Sequence, residues 1–275
     1  MALVHGEIIK AERKKRKMSQ TELAEGICKQ ATISNIERKN FCKDIEILAK
    51  VCRKLDLVLT QVVEASPEDW LEERLAGIED QLASGHAKEA LVDLEKIKND
   101  DIEDRRVLNR YYYNFGNALL QAKKDTDGAL FYYNQVINNT NADELYGILA
   151  NTGIAVTYGE KKQPNFAETY FQKALAGIKN NSKPYPLHFN QVFLDAAKFY
   201  NSNADFDKAI SATKKALEIN QSYHSTQLLD QIIFENARSE KGLNKETSAG
   251  LFDFAAKLAE FNQNKRLAKK ILEEK

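Results

Sequence analysis

Between residues 30 and 39 the chain sets Gln30, Ala31, Thr32, Ser34, Asn35, Arg38 and Lys39 along about three turns of a helical pattern. Side chains of these types suit the edges and phosphates of a DNA groove. A glutamine amide can bond adenine N6 and N7 together, and an Ala or Thr methyl can meet the thymine methyl. Arg38 and Lys39 carry charge that would grip phosphate, which positions a protein on the duplex without reading sequence. On the opposite side of residues 19–38 lie Leu23, Ala24, Ile27, Ile33 and Ile36, the apolar set that would lock two short helices around a tight turn.

The elements that must hold this row are legible on either side of it. A first helix is expected from about Leu3 to Lys17, with Ile8 and Ile9 facing inward. Ser19 is a good N-cap, and Glu22 three residues on completes a capping box. Gly26 can take the left-handed conformation that stops a helix, and the next helix starts near Lys29 or Gln30. Asp44 caps a fourth helix with Ile45, Leu48, Val51 and Cys52 at helical spacing. A short fifth helix near residues 60–64 closes the bundle through Leu57, Leu59 and Val62. Overall charge is balanced at 40 basic and 40 acidic residues, but residues 1–65 hold 13 against 9. The run Lys10, Arg13, Lys14, Lys15, Arg16, Lys17 concentrates this excess just before the helix pair, where it is expected to add phosphate contacts.

These residues resemble the five-helix DNA-binding domain of the phage-repressor (Cro/C1, or XRE) type. The pattern is Ile9-Lys10-x-x-Arg13, Met18-Ser19-Gln20-x-Glu22-Leu23-Ala24, Ile33-Ser34-x-Ile36-Glu37, and Leu48-Ala49-x-Val51 followed by Leu55-x-Leu57, covering about residues 3–64. The resemblance implies that Gln20 bonds a phosphate and that Gln30, Ala31 and Thr32 read bases, with Ser34 and Asn35 further along. One such domain reads only a few base pairs, so a dimer on a two-fold DNA site is expected.

Several classes of function are argued against. His5, His86, His188 and His224 are isolated, and no nucleophile-elbow, phosphate-loop or zinc-protease motif occurs, so an enzyme is not expected. Cys28, Cys42 and Cys52 form no CxxC pair and have no histidine at zinc-finger spacing, so neither metal nor other cofactor is expected. They read as reduced thiols behaving as small hydrophobes, with a redox role left open for the more polar-flanked Cys42. No apolar run approaches the ~18 residues of a membrane span, and the charged start lacks a signal-peptide core, so a cytoplasmic location is expected.

Beyond Ser66-Pro67-Glu68-Asp69 the pattern changes, which places a domain boundary near residue 65 and leaves 66–275 as a second domain. With 12 glycines and 4 prolines in the chain, and Ala, Leu, Lys, Glu, Asn and Gln dominant, an all-α protein is expected. Small residues recur at Ala90, Ala129, Ala167 and Ala209, separated by 39, 38 and 42 residues. Bulky residues follow at Tyr133, Phe171 and Thr213, and small ones precede at Gly116, Gly153 and Ala196. Further helices are expected over 222–238, 246–262 and 264–273.

That alternation resembles tetratricopeptide repeats, whose usual period is about 34 residues. The resemblance implies about five helix pairs stacked as a right-handed superhelix with a concave groove. Counting from the small residues turns Tyr113, Asn114, Asn117 and Gln121 inward, then Asn151, Thr157 and Tyr158, then Asn190, Phe193, Tyr200 and Asn201. Asparagine amides offer both donor and acceptor and can clamp the backbone of an extended peptide, while aromatics supply pockets. Asparagine tolerated on solvated helix faces is the alternative reading of the same residues.

A repressor-type domain followed by degenerate tetratricopeptide repeats is similar to the peptide-pheromone-responsive regulators of Gram-positive bacteria, the RRNPP group, and most of all to its PlcR-like members. The resemblance implies a homodimer whose repeat domain binds a short signalling peptide that controls DNA binding. Two alternatives stay open at this point: repeats that serve only as a docking or dimerisation scaffold, and a first domain that binds protein instead of DNA.

Overall fold

A computed structural model describes residues 2–63 and 67–275. The chain divides into two compact units, one through Arg74 and one from Leu75 onward. The expected boundary at residue 65 and the expected helix end near residue 64 lie outside the described residues.

The first unit runs β1 (Ala2–Leu3), α1 (Gly6–Lys15), α2 (Gln20–Ala24), α3 (Gln30–Lys39), β2 (Phe41–Cys42), α4 (Ile45–Lys54) and α5 (Leu59–Val62), then enters α6 (Pro67–Ala83). Val4, Ile9, Leu23, Ile33, Ile36, Leu48, Val51, Leu55 and Val62 form its core, with Ile8, Ile27 and Leu57 packed against it. The capping box at Ser19 is present: Ser19 Oγ accepts from Glu22 N at 3.1 Å, and Ser19 N donates to Glu22 Oε2 at 2.6 Å. Gly26 is left-handed at φ +74°, and Asp44 caps α4 through the amides of Glu46 and Ile47.

The first helix begins later than its sequence pattern predicts. Ala2 and Leu3 pair antiparallel with Cys42 and Phe41, and Val4 bridges Val63. A two-residue ladder is too short to carry the alternation by which strands are recognised. The switch to helix comes at Gly6, where a Cβ would stand 2.2 Å from the Ile36 carbonyl oxygen. Only glycine lets α1 start against the end of α3, where left-handed Asn40 accepts from Gly6 N through Oδ1 at 3.1 Å.

The second unit continues with α7 (Ala87–Glu95), α8 (Arg105–Lys123), α9 (Thr126–Asn139), α10 (Leu145–Glu160), α11 (Pro164–Lys179), α12 (Phe189–Ser202), α13 (Phe206–Ser222), α14 (Leu229–Gly242), α15 (Ser248–Phe261) and α16 (Lys265–Glu274). Successive helices pack as pairs, α8 with α9, α10 with α11, α12 with α13 and α14 with α15. Ala90, Ala129, Ala167 and Ala209 are all fully buried where second helices meet their partners. The helix expected over 222–238 is displaced to Leu229–Gly242, because α13 persists to Ser222 and the chain then reverses through left-handed His224 and Leu228. The turns within the four pairs each use one left-handed residue that is not glycine, Lys124 (φ +54°), Lys162 (+56°), Ala204 (+58°) and Asn244 (+54°), and Gln263 (+55°) does the same before α16. Among the described residues no helix is long and apolar enough to cross a membrane.

Gly116 and Gly153 explain how adjacent pairs come together. The fully buried Tyr133 ring lies against both, and a Cβ at either position would stand 2.6 Å from it. Crowding of that kind costs about 1–3 kcal/mol, which outweighs the gain of roughly 1 kcal/mol from alanine's helix propensity. Gly153→Ala is therefore expected to lower the urea midpoint followed by circular dichroism, and an unchanged or raised midpoint would show that the ring has room to move.

Candidate nucleic-acid interface and ligand groove

In the first unit a chain of polar contacts runs from core to surface. Arg13 and Glu37, both buried, form a two-pronged ion pair, Nε–Oε1 2.6 Å and Nη2–Oε2 2.8 Å. The remaining guanidinium nitrogen Nη1 donates to the Met18 carbonyl at 2.7 Å, which ties the end of α1 to the start of α2. Glu37 Oε2 also accepts from Gln20 Nε2 at 2.9 Å, and Gln20 Oε1 accepts from Gln30 Nε2 at 2.7 Å. Buried charge sits at one end of this chain and exposed Gln30 at the other. Since one amide hydrogen and the carbonyl oxygen of Gln30 are not spent on Gln20, a two-point contact with an adenine edge is still possible.

The outer side of α3 carries the residues expected there. Gln30, Ala31, Asn35, Arg38 and Lys39 are exposed and Thr32 and Ser34 half-buried, while Ile33, Ile36 and Glu37 face the core. Gln20 is half-buried on α2 beside them. Lys54 Nζ, which the sequence did not single out, donates to the carbonyls of Glu22 and Glu25 at 2.7 and 2.9 Å and closes the end of α2.

The basic run divides in a way its composition does not announce. Arg13 is not a phosphate ligand, since its guanidinium is spent on Glu37 and Met18. Arg16 pairs with Glu12 and Asp56, and Lys15 with Glu12, while Lys10, Lys14 and Lys17 are exposed. Spacing explains the exception: Arg13 lies four residues after buried Ile9, on the same helix face. The thiols are free and buried to different degrees, Cys28 the least. Cys42 is buried and donates to the Asp44 carbonyl, and burial pushes its thiol up, as it does those of Cys28 and Cys52.

In the second unit most of the expected amides are riveted into the fold. Buried Asn114 donates to Glu79 Oε1 at 2.9 Å, joining α8 to α6. Buried Asn190 donates to Asn220 Oδ1 at 2.7 Å, and buried Asn201 donates to the Glu235 carbonyl and carboxylate while accepting from Ser239. Asn151 bonds the Gly147 carbonyl and Thr157 that of Gly153, each within α10. Phe193 and Tyr200 belong to the core. Tyr158, half-buried, stacks on Phe166 and Tyr170, Asn117 is half-buried, and Gln121 is exposed.

A groove lies one residue around the helices from many of those positions. Ala155, Val156 and Glu160 of α10, Phe171 of α11, and Asp195, Lys198, Phe199 and Ser202 of α12 line a cavity of about 610 Å³. Asp195 accepts from Gln191 at 2.8 Å and pairs with Lys198 at 3.3 Å. Burial pushes the hydroxyl of half-buried Tyr113 up to about 12, with Asn117 partly offsetting the effect and Asp195 and Glu79 adding to it. Tyr113 therefore stays protonated. The sequence signal missed here was the rotation of helices packed on two sides, where one residue turns a side chain by about 100°.

Glu37 makes the first unit sensitive to acid. Burial pushes its carboxyl up, but bonds from Arg13 and Gln20 outweigh this and hold it below the usual carboxylate range. Its stabilising contribution is thus complete above the unfolded value and is lost as pH falls through the lower folded value. Glu37→Gln, which leaves Arg13 buried without its anion, is expected to cost about 3–5 kcal/mol at neutral pH. Urea titrations of both proteins at neutral pH and at about pH 4 should show that gap narrowing in acid; a gap of constant size would refute the linkage.

Residues 9–60 match the helix-turn-helix family. No curated protein matches the chain in sequence. Among solved structures the chain is similar to PlcR of Bacillus thuringiensis in complex with the peptide PapR7 and DNA, at 18% identity, 97% and 98% coverage of the two chains and a TM-score of 0.74. It is also similar to ComR from S. thermophilus in complex with DNA and its signalling peptide ComS, at 16% identity, 97% and 96% coverage and a TM-score of 0.58. The tetratricopeptide-like repeats of a Podosopora anserina putative kinesin light chain align over 70% of this chain and 96% of theirs, at 14% identity and a TM-score of 0.50. Residues 9–60 are thus a helix-turn-helix domain, and the chain has the fold of PlcR and ComR, in which that domain is followed by tetratricopeptide-like helix pairs.

Proposed function

We propose that the chain is a cytoplasmic, sequence-specific transcriptional regulator: residues 1–65 bind a two-fold DNA site as half of a homodimer, and residues 66–275 bind a short signalling peptide that controls this. The observation that carries the DNA half is the Arg13–Glu37–Gln20–Gln30 chain. It holds one amide at the surface of α3 in a fixed orientation, at the head of an exposed row ending in Arg38 and Lys39. Such preorganisation limits the entropy lost on binding. Gln30, Ala31 and Thr32 then face bases, Ser34 and Asn35 the groove wall, and Gln20, Arg38 and Lys39 the phosphates.

For the peptide half, the support is an open groove with both apolar walls and hydrogen-bonding groups, Asp195 and Lys198 among them, in the fold that PlcR and ComR share. Both of those were solved with a peptide and DNA. Gln121 is exposed and Asn117 and Tyr158 are half-buried, whereas Asn114, Asn151, Asn190, Phe193, Tyr200 and Asn201 are buried. The internal commitment of those asparagines favours, as a second reading, a repeat array that serves as a scaffold with no peptide ligand.

The DNA half is tested by selecting bound duplexes from a random pool with the full chain. A two-fold sequence is expected. Gln30→Ala should relax preference at one base pair by about 1–3 kcal/mol, and Arg38→Ala should weaken all duplexes alike while reducing the salt slope by about 1. Unaltered binding by the double variant sinks the assignment of α3 as the recognition helix.

A further inference from the structure

Arg13 meets Glu37 and Arg110 meets Glu79 in the same way, with Nε on one carboxylate oxygen and Nη2 on the other. Arg238 of α14 stops halfway. Its Nη1 donates to buried Glu235 at 2.8 Å, and its Nε pairs with Glu274 of α16 at 2.6 Å. Nη2 makes no hydrogen bond among the described residues. An edge shaped for two oxygens is therefore holding one. Glu235 in turn accepts from Asn201 at 2.9 Å, which fixes the guanidinium at one corner. Arg238 lines an open cleft of about 570 Å³, together with Lys241, Asn244, Glu274 and the rings of Phe206 and Phe252. No residue of this cleft lines the groove between α10 and α12.

Glu274 is poorly placed for its own helix. α16 carries Lys265 and Arg266 in its first turn and Glu273 and Glu274 in its last, the reverse of what the helix dipole favours. At ten residues it is marginal without a neighbour, and buried Leu267 and Ile271 hold it against α14 and α15. Yet both cations of the cleft converge on this one residue. Arg238 takes its carboxylate, and Lys241 donates to its main-chain carbonyl at 2.6 Å. A grip on the side chain and the backbone of one glutamate is how a cleft reads an acidic residue in a peptide. We propose that this cleft is a binding site for an acidic peptide segment, separate from the groove, and that Glu274 fills it in cis. An incoming glutamate takes the Nε–Nη2 edge with both oxygens and accepts from Lys241 through its backbone, and Glu274 gives way. The proposal is independent of the peptide reading of the groove.

The probe is a fluorescein-labelled peptide of sequence Leu-Glu-Glu-Lys, that of residues 272–275, titrated with the full chain. Glu274→Ala empties the Arg238 edge and leaves Leu267 and Ile271 in place, so it should bind the peptide about tenfold more tightly than the wild type. Adding Arg238→Lys, which keeps the charge and loses the fork, should reverse that gain. Adding Lys241→Ala should reverse it too, and since Lys241 is exposed this variant reads the site even where Arg238→Lys fails to fold. A Glu274→Ala chain that binds no better than wild type overturns the proposal, as does a gain that survives Lys241→Ala. The peptide Leu-Gln-Gln-Lys should bind about tenfold more weakly. Equal binding of the two peptides, or displacement by inorganic phosphate as readily as by unlabelled peptide, overturns the assignment to an acidic peptide.

Discussion

An α-helix has an apolar face that it cannot cover by itself, and short helices are marginal in water without a neighbour. The longest helix among the described residues is α8, with 19 residues, so each element depends on the one beside it. The two units meet this constraint by different means. The first packs aliphatic side chains around Leu23, Ile33, Ile36 and Leu48 and pins the bundle with one buried ion pair. The second brings helices close by shrinking side chains at the crossings, to alanine at 129, 167 and 209 and to glycine at 116 and 153.

The ion pair between Arg13 and Glu37 also connects interior to surface. A buried pair is a poor source of net stability, because desolvation offsets most of the attraction. Its use here is geometric. Two parallel bonds fix the carboxylate plane, the carboxylate fixes Gln20, and Gln20 fixes Gln30. A similar economy holds in the second unit, where asparagines at 114, 190 and 201 lock neighbouring helices in register. Each such bond ties a buried amide to one partner and so limits alternative packings, although the Asn190 Oδ1 is buried without a partner of its own among the described residues.

The helix-turn-helix was legible because its signals are local: the capping box at Ser19, the glycine stop at Gly26 and the Asp44 cap each involve residues within three positions of one another. The repeats were legible because Ala, Gly and aromatic residues recur at a near-constant interval. What could not be read was anything set by distant partners. The strand pair of residues 2–3 with 41–42 spans the whole head of the chain, and Arg13 looked like one more cation in a basic run until Glu37 met it. The groove register failed for a related reason. Helices such as α10, buried on nearly every side, carry too weak an amphipathic signal to say which polar residue faces a partner and which faces solvent.

The left-handed residues at Lys124, Lys162, Ala204 and Asn244 have a mechanical consequence. Each turn passes through a single conformation that a residue with a Cβ tolerates but does not freely leave, unlike a glycine, which explores both signs of φ. The helix hairpins are therefore stiff rods of fixed opening angle. Bending of the array would then be taken up by sliding between hairpins, and the helices α11 and α12 meet more sparsely than the other neighbouring helices of adjacent pairs.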